Sequence, residues 1–248
     1  MTEKRDDIQL IALDMDGTLL TDDLEVSEMN RTMITKAMDK GVKVMLSTGR
    51  WLDFCYSYAE SLQLNNYLVT VNGGEIWTST KELVERHVHA NELVVKMWNI
   101  GLEKDVHMWC VSTDQVFNSQ DRPKDFDAHE WLKIGYSTED IDKLKEIRKE
   151  LSVFDDIEIT NSLPTNIEVN PSGVNKANGL KRVCKELGIT MDQVMAVGDS
   201  MNDKKMIMQA GLGIAMGNAQ DQIKEVADAV TDTNNNHGVA KAIERFIL

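Results

Sequence analysis

The 248-residue chain has only three cysteines, three prolines and 6% aromatic residues, and it has fewer basic than acidic side chains. Cys55, Cys110 and Cys184 lie far apart and make no paired metal-ligand spacing, and an odd number argues against a disulfide framework. They read as reduced thiols packed like small hydrophobes. With so little proline, 42% hydrophobic residues and no repeat at a fixed period, the chain is neither fibrous, low-complexity nor disordered. No apolar stretch approaches the length of a membrane span, and the charged N-terminal run Met1–Asp7 carries no secretory core, so the expected address is the cytoplasm. Basic residues number 27 against 41 acidic ones, a net charge of −14. That field repels nucleic acid and anionic membranes. It also disfavours anionic small molecules, so any phosphate site must be positive locally.

Apolar periodicity supplies the architecture. Ile8–Leu13 is a short run apolar on both sides, the pattern of a strand buried in a parallel sheet. Ser27 is placed to cap a helix with Met29, Met33, Ile34, Ala37 and Met38 as its stripe, and Gly41 ends it. Val42–Leu46 is a second strand, which completes a strand–helix–strand unit. A helix over Trp51–Leu62, a strand over Tyr67–Val71, and a further alternation from Ala177 to Ala227 repeat the theme. The expectation is a doubly wound, Rossmann-like α/β core formed by residues 1–81 and 167–248. The middle differs. Helices over Asn91–Lys104 and from a Thr138 cap to Ser152 stand beside alternating runs at Val106–Ser112, Trp131–Tyr136, Ile157–Thr160 and Ile167–Val169. These predict an inserted α+β domain over about residues 82–166.

Acidic residues collect where strands end. Asp14 and Asp16 follow the first strand, where ligands gather outside the carboxyl ends of a parallel sheet, and Gly17 permits the turn. A solvated Asp-x-Asp-Gly turn is the plainer alternative. Asp199, Asn202 and Asp203 follow a later strand. Four carboxylates in one crevice repel, and some stay protonated unless a cation joins them. An oxygen-only donor set without His or Cys pairs suits Mg²⁺ rather than zinc. Ser47-Thr48-Gly49-Arg50 offers a hydroxyl and backbone N–H groups before a helix, which is either an anion site or an ordinary loop. Lys176 opens a helix, where the macrodipole disfavours a cation; a bound phosphate gives it a reason to be there, and a solvated surface lysine is the alternative.

Taken in order, these pieces resemble the haloacid dehalogenase-like phosphatases, in particular the Cof-type branch with a cap between its second and third motifs. Asp14-Met-Asp-Gly-Thr-Leu-Leu is similar to motif one, Ser47-Thr-Gly-Arg to motif two, Gly173-Val-Asn-Lys176 to motif three and Gly198-Asp-Ser-Met-Asn-Asp203 to motif four. Asn72-Gly-Gly, Asn218-Ala219 and Asn236-His-Gly238 match as well. The resemblance implies a Mg²⁺-dependent phosphatase that hydrolyses small phosphate monoesters, such as sugar phosphates, nucleotides or cofactor precursors, through an aspartyl phosphate on Asp14. Asp16 becomes the general acid and base. Met15, Ser47, Thr48, Lys176 and Asn202 become phosphate contacts. Asp14, Asp16 through its carbonyl, and Asp199 become the metal ligands, with Gly17, Thr18, Arg50 and Asp203 in support. Lys176-Ala-Asn-Gly179 departs from relatives that place glycine directly after the lysine.

Spacing locates the insertion independently. Asp16 and Ser47 are 31 residues apart, enough for one crossover, whereas Ser47 and Lys176 are 129 apart, far more than a core needs. The expected partner is a small phosphorylated metabolite, with no nucleic acid and no membrane, acting on a monomer or weak homodimer. Two other readings compete: a phosphosugar mutase of the same fold, and a non-catalytic phosphate-metabolite-binding regulator. His87 and His89 alternate on a linker or edge strand with no third ligand nearby, and neither they nor His107 are read as a metal site. Trp109 and Trp131 are read as packing, and residues 121–130 as a polar loop.

Overall fold

Along the strand Leu10–Leu13, Ile11 and Leu13 enter one apolar cluster while Leu10 and Ala12 enter another, and all four are fully buried. A strand apolar on both sides requires cover on both sides, and the computed structural model provides it. The structure describes residues 4–248, so the first three residues of the charged N-terminal run lie outside the described residues. The chain falls into two compact units, one running to Glu85 and resuming over Lys176–Leu248, the other Arg86–Asn175.

The strands in chain order are β1 (Leu10–Leu13), β2 (Lys43–Ser47), β3 (Tyr67–Thr70), β4 (Glu75–Thr78), β5 (Leu83–Arg86), β6 (His107–Ser112), β7 (Val116–Asn118), β8 (Trp131–Ser137), β9 (Ile157–Thr160), β10 (Asn166–Pro171), β11 (Val194–Gly198), β12 (Leu212–Ala215) and β13 (Ala229–Val230). The helices are α1 (Glu28–Asp39), α2 (Tyr56–Ser61), α3 (Asn91–Lys104), α4 (Ile141–Leu151), α5 (Lys176–Leu187), α6 (Lys204–Gln209), α7 (Asp221–Lys224) and α8 (Gly238–Phe246).

The first unit is built on an eight-stranded sheet of order β13-β12-β11-β1-β2-β3-β4-β5. From β13 to β3 every neighbour is parallel, and β4 returns antiparallel to β3. Ile34 and Ala37 of α1 and Val239, Ala242, Ile243 and Phe246 of α8 pack in the cluster with Ile11, Leu13, Val44 and Leu46. Ala177, Leu180 and Val183 of α5 and Met206 of α6 pack in the other, with Leu10, Ala12 and Met45. The doubly wound α/β expectation therefore holds. Ser27 caps α1 by accepting the Asn30 N–H at 3.3 Å. The region Trp51–Leu62 is less regular than expected, a short 3₁₀ turn at Leu52–Phe54 followed by α2.

The second unit is a five-stranded sheet of order β7-β6-β8-β10-β9 with α3 and α4 on one face. Val94, Met97 and Trp98 of α3 and Leu144, Ile147 and Leu151 of α4 cluster with Met108, Cys110, Ile134, Tyr136, Ile167 and Val169. Register places Trp109 opposite Gly135 and Gly135 opposite Glu168, so these share the face without helices. A Cβ at Gly135 would stand 2.1 Å from the Trp109 ring, which lies directly on the glycine. Lys133 and Glu168 form a buried ion pair at 3.2 Å.

Three expectations need revision here. The boundaries move from 82–166 to Arg86–Asn175, because Leu83–Arg86 joins the eight-stranded sheet and the run at Ile167–Val169 pairs with β8 and β9 rather than with the core. Helix α4 is capped by Asp140, which accepts from the N–H groups of Asp142 and Lys143, while Thr138 accepts the Asp140 N–H one turn earlier. His89, expected on a linker or edge strand, lies outside the named strands and is joined to β8 by an isolated bridge to Trp131. It is buried, its N–H donates to the Trp131 carbonyl and its Nε2 lies 3.2 Å from the Val169 carbonyl, and burial pulls its pKa down to about 4. It is a packed neutral imidazole.

Candidate active site

The chain leaves β1 with Asp14, whose N–H donates to the Val197 carbonyl of β11 at 3.0 Å. This bond ties the first acidic residue to the strand that ends at Gly198, just before Asp199. Gly17 takes φ +75°, and a Cβ there would come within 2.8 Å of Asp199 Oδ2, so only glycine lets the turn approach that carboxylate. Asn218 Nδ2 donates to the Gly17 carbonyl at 2.7 Å and fixes the turn from outside.

Lys176 is the first residue of α5 and is completely buried. Its Nζ donates to Asp14 Oδ1 at 2.5 Å and to Asp203 Oδ1 at 2.6 Å. A lysine at this helix end, unfavourable by the macrodipole, is held by two carboxylates instead. Asp203 spends its other oxygen on the backbone N–H groups of Asp199 and Ser200, at 3.0 and 3.1 Å. Both of its oxygens are thus in use. Asp199 accepts the Thr18 hydroxyl on Oδ1 at 3.0 Å and the Ser200 hydroxyl on Oδ2 at 3.1 Å.

The charge in this pocket does not balance. Burial, then the neighbouring Asp203 and Asp199, push the Asp14 carboxyl well above its ordinary range against the pull of Lys176. Burial and Asp203 push Asp199 up to about 7. Burial disfavours the Lys176 ammonium, but Asp14 and Asp203 outweigh it and leave its pKa raised. One lysine is too little for three carboxylates, and oxygens of Asp14, Asp199 and Asp203 lie within 4.8 Å of one another, close enough to hold a metal ion. Hard oxygen donors fit a hard divalent cation. Asp203 accepts three hydrogen bonds, Asp199 two and Asp14 one, so Asp14 and Asp199 hold more of the remaining donor capacity.

Two buried polar atoms beside the acids have no hydrogen-bond partner among the described residues: Ser47 Oγ and Asn202 Oδ1. Buried hydroxyls and amides are costly to leave unpaired. Ser47 ends β2, next to β1, and Asn202 donates through Nδ2 to Asn72 Oδ1 at 3.3 Å. Thr48 is buried and its Oγ1 accepts the Arg50 N–H at 3.1 Å, which shapes the loop after β2.

Of the sequence-derived set, the structure gathers Asp14, Asp199, Asp203, Lys176 and Thr18 through direct contacts. Met15 is buried in the apolar core, which leaves its backbone as the part a ligand could use. Asp16 departs from the expectation of four converging carboxylates. Its two oxygens are held by Arg50, Nη2 at 2.5 Å and Nε at 2.8 Å, and its side chain is about half exposed. The sequence reading missed Ser200 as a donor to Asp199, and had Asn72 and Asn218 only as family matches. Their sole signal was adjacency to glycines at strand ends.

The family described as haloacid dehalogenase-like hydrolase matches the chain over residues 11–130 and 118–243. A 5-amino-6-(5-phospho-D-ribitylamino)uracil phosphatase of Bacillus subtilis, YcsE, is 50% identical over 98% of this chain and 97% of its own. A phosphoglycolate phosphatase of Methanobrevibacter smithii is 32% identical, covering 97% of this chain and 99% of its own. The solved structure of a haloacid dehalogenase-like hydrolase from B. subtilis superimposes with a TM-score of 0.88 at 26% identity, covering 96% of this chain and 99% of that one. No helix among the described residues is long and apolar enough to cross a membrane. By this match and these relatives the chain belongs to the haloacid dehalogenase-like hydrolases, in the Cof-type phosphatase branch, and is a phosphoric monoester hydrolase.

Proposed function

We propose that the chain dephosphorylates a small metabolite with Asp14 as nucleophile and Mg²⁺ as cofactor. The observation that carries this reading is Lys176 bonded to one oxygen of Asp14, which leaves the second oxygen of that carboxylate to attack phosphorus. Attack forms the bond from Asp14 oxygen to phosphorus as the bond to the leaving oxygen breaks. Asp16 gives its proton to that leaving oxygen, and afterwards takes one from the water that hydrolyses the aspartyl phosphate. Ser47 donates its hydroxyl to a phosphoryl oxygen, Lys176 supplies fixed positive charge, and Asn202 donates through Nδ2 to the phosphoryl group. Asp14, the Asp16 carbonyl and Asp199 would hold Mg²⁺, which neutralises charge that builds on the transferring oxygens.

The unit Arg86–Asn175 is read as the cap that selects the leaving group. Identity of 50% over nearly the whole chain favours 5-amino-6-(5-phospho-D-ribitylamino)uracil as substrate over phosphoglycolate, whose phosphatase is 32% identical. The test is phosphate release from this compound and from p-nitrophenyl phosphate, with Mg²⁺ and with EDTA. Turnover that needs Mg²⁺ and disappears in Asp14→Asn is expected. Near-normal turnover by the Asn variant would remove the nucleophile assignment, and rapid hydrolysis of p-nitrophenyl phosphate alone would remove the substrate.

A further inference from the structure

Arg50 grips Asp16 as a fork. Its Nη2 and Nε reach the two carboxylate oxygens at 2.5 and 2.8 Å, the paired geometry in which guanidinium fixes both position and plane of a carboxylate. The arginine is itself anchored. Its Nη1 donates to the Phe54 carbonyl at 3.2 Å, its guanidinium stands 5.5 Å from the centre of the Tyr58 ring, and its own carbonyl accepts the Val71 N–H at 2.9 Å. Asp16, by contrast, has a half-exposed side chain, and Arg50 is the only hydrogen-bond donor to its carboxylate among the described residues. Without the fork nothing holds its χ angles, and a free carboxyl spends little time where a leaving oxygen needs it.

We infer that Arg50 is a positioning residue for Asp16, one that sets the place from which the general acid reaches the leaving oxygen. The inference rests on Asp16 acting as that acid. A carboxylate that accepts on both oxygens carries no proton, so the acid step follows release of one oxygen from the fork and its protonation by solvent water, while the other oxygen stays bonded to Arg50. The Asp16 O–H bond then breaks as its proton goes to the leaving oxygen, which keeps the electron pair of the broken P–O bond. Arg50 stays charged throughout. The Asp16 end of the pair is half exposed, and ion pairs open to solvent contribute little to folding, so a folded variant is expected, and circular dichroism checks it.

Leaving groups separate this role from a structural one. An alkoxide needs a proton as it departs; p-nitrophenolate does not. In Arg50→Met the ratio of kcat on the best alkyl phosphate from the phosphate-release assay to kcat on p-nitrophenyl phosphate should fall about tenfold or more, within the 10²–10⁴ that general acid catalysis supplies. Arg50→Lys, which keeps the charge but not the fork, should fall less. In an Asp16→Asn background Arg50→Met should lower the ratio no further, because its target is gone. Equal loss on both esters, or a further fall in the Asp16→Asn background, overturns the inference while the phosphatase reading stands. If the unaltered protein hydrolyses neither ester with Mg²⁺, both fall together.

Discussion

Lys176 and Asp203 meet at 2.6 Å with neither side chain exposed to solvent, and the same lysine reaches Asp14 on its other side. Asp203 in turn accepts the N–H groups of Asp199 and Ser200, so one carboxylate sets both the lysine and the loop that presents Asp199. The sequence GDSMND is thereby closed on itself by the last of its residues.

Asp203→Ala should therefore do double damage. It strips a partner from a buried ammonium and orphans two backbone donors, and breaking a buried pair typically costs about 3–5 kcal/mol. A urea melt of the variant should show a loss of this size, and phosphatase activity should drop with it. A variant as stable as the parent would mean that Lys176 is adequately held by Asp14 alone.

The acid–lysine cluster was legible in part, and the limits are physical. Runs such as Leu10–Leu13 and Val194–Gly198 are apolar on both faces, which announces a central parallel strand wherever it occurs. Residues at the ends of such strands share one edge of the sheet by topology alone, so Asp14 and Asp199 were assignable to one crevice. What a strand pairs with is not written locally. Ile167–Val169 reads the same in either sheet, and only its pairing with β8 and β9 assigns it to the second. The fork between Arg50 and Asp16 spans 34 residues and depends on rotamers, so motif order gives both residues without their contact.

Protonation should couple to metal. The folded pKa of Asp199 is raised from 3.8 to about 7, so the folded state holds this proton more tightly than the unfolded chain does. Its stabilising effect is complete below the unfolded pKa and is lost as pH rises through about 7. In EDTA the melting temperature should fall between about pH 4 and pH 7 on this account. A cation displaces that proton, so the stabilisation given by added Mg²⁺ should grow with pH over the same window. Thermal melts at several pH values, with and without Mg²⁺, measure it; a Mg²⁺ effect that shrinks with pH would mean Asp199 is not a ligand.

Gly17→Ala places a methyl group 2.8 Å from Asp199 Oδ2 at φ +75°. Strain in the left-handed region costs about 1–2 kcal/mol, and the nearer consequence is that Asp199 must move. Activity should fall by more than the stability loss explains, together with weaker Mg²⁺ dependence in a metal titration. Unchanged kinetics would show that the turn has room to give.

In the second unit, Lys133 and Glu168 are 4% and 6% exposed at the side chain and 3.2 Å apart. Ser162 also reaches Glu168, at 3.4 Å. Lys133→Met removes the buried cation beside Glu168 and should destabilise the protein, by up to about 3 kcal/mol. Lys133→Met combined with Glu168→Leu removes both charges and should recover much of that loss, because the penalty comes from burying a charge without its counter-ion rather than from the missing contact. Denaturation of the two single variants and the double variant gives the coupling directly. If the losses simply add, the pair is not electrostatically linked, and the burial of Glu168 is satisfied by other donors.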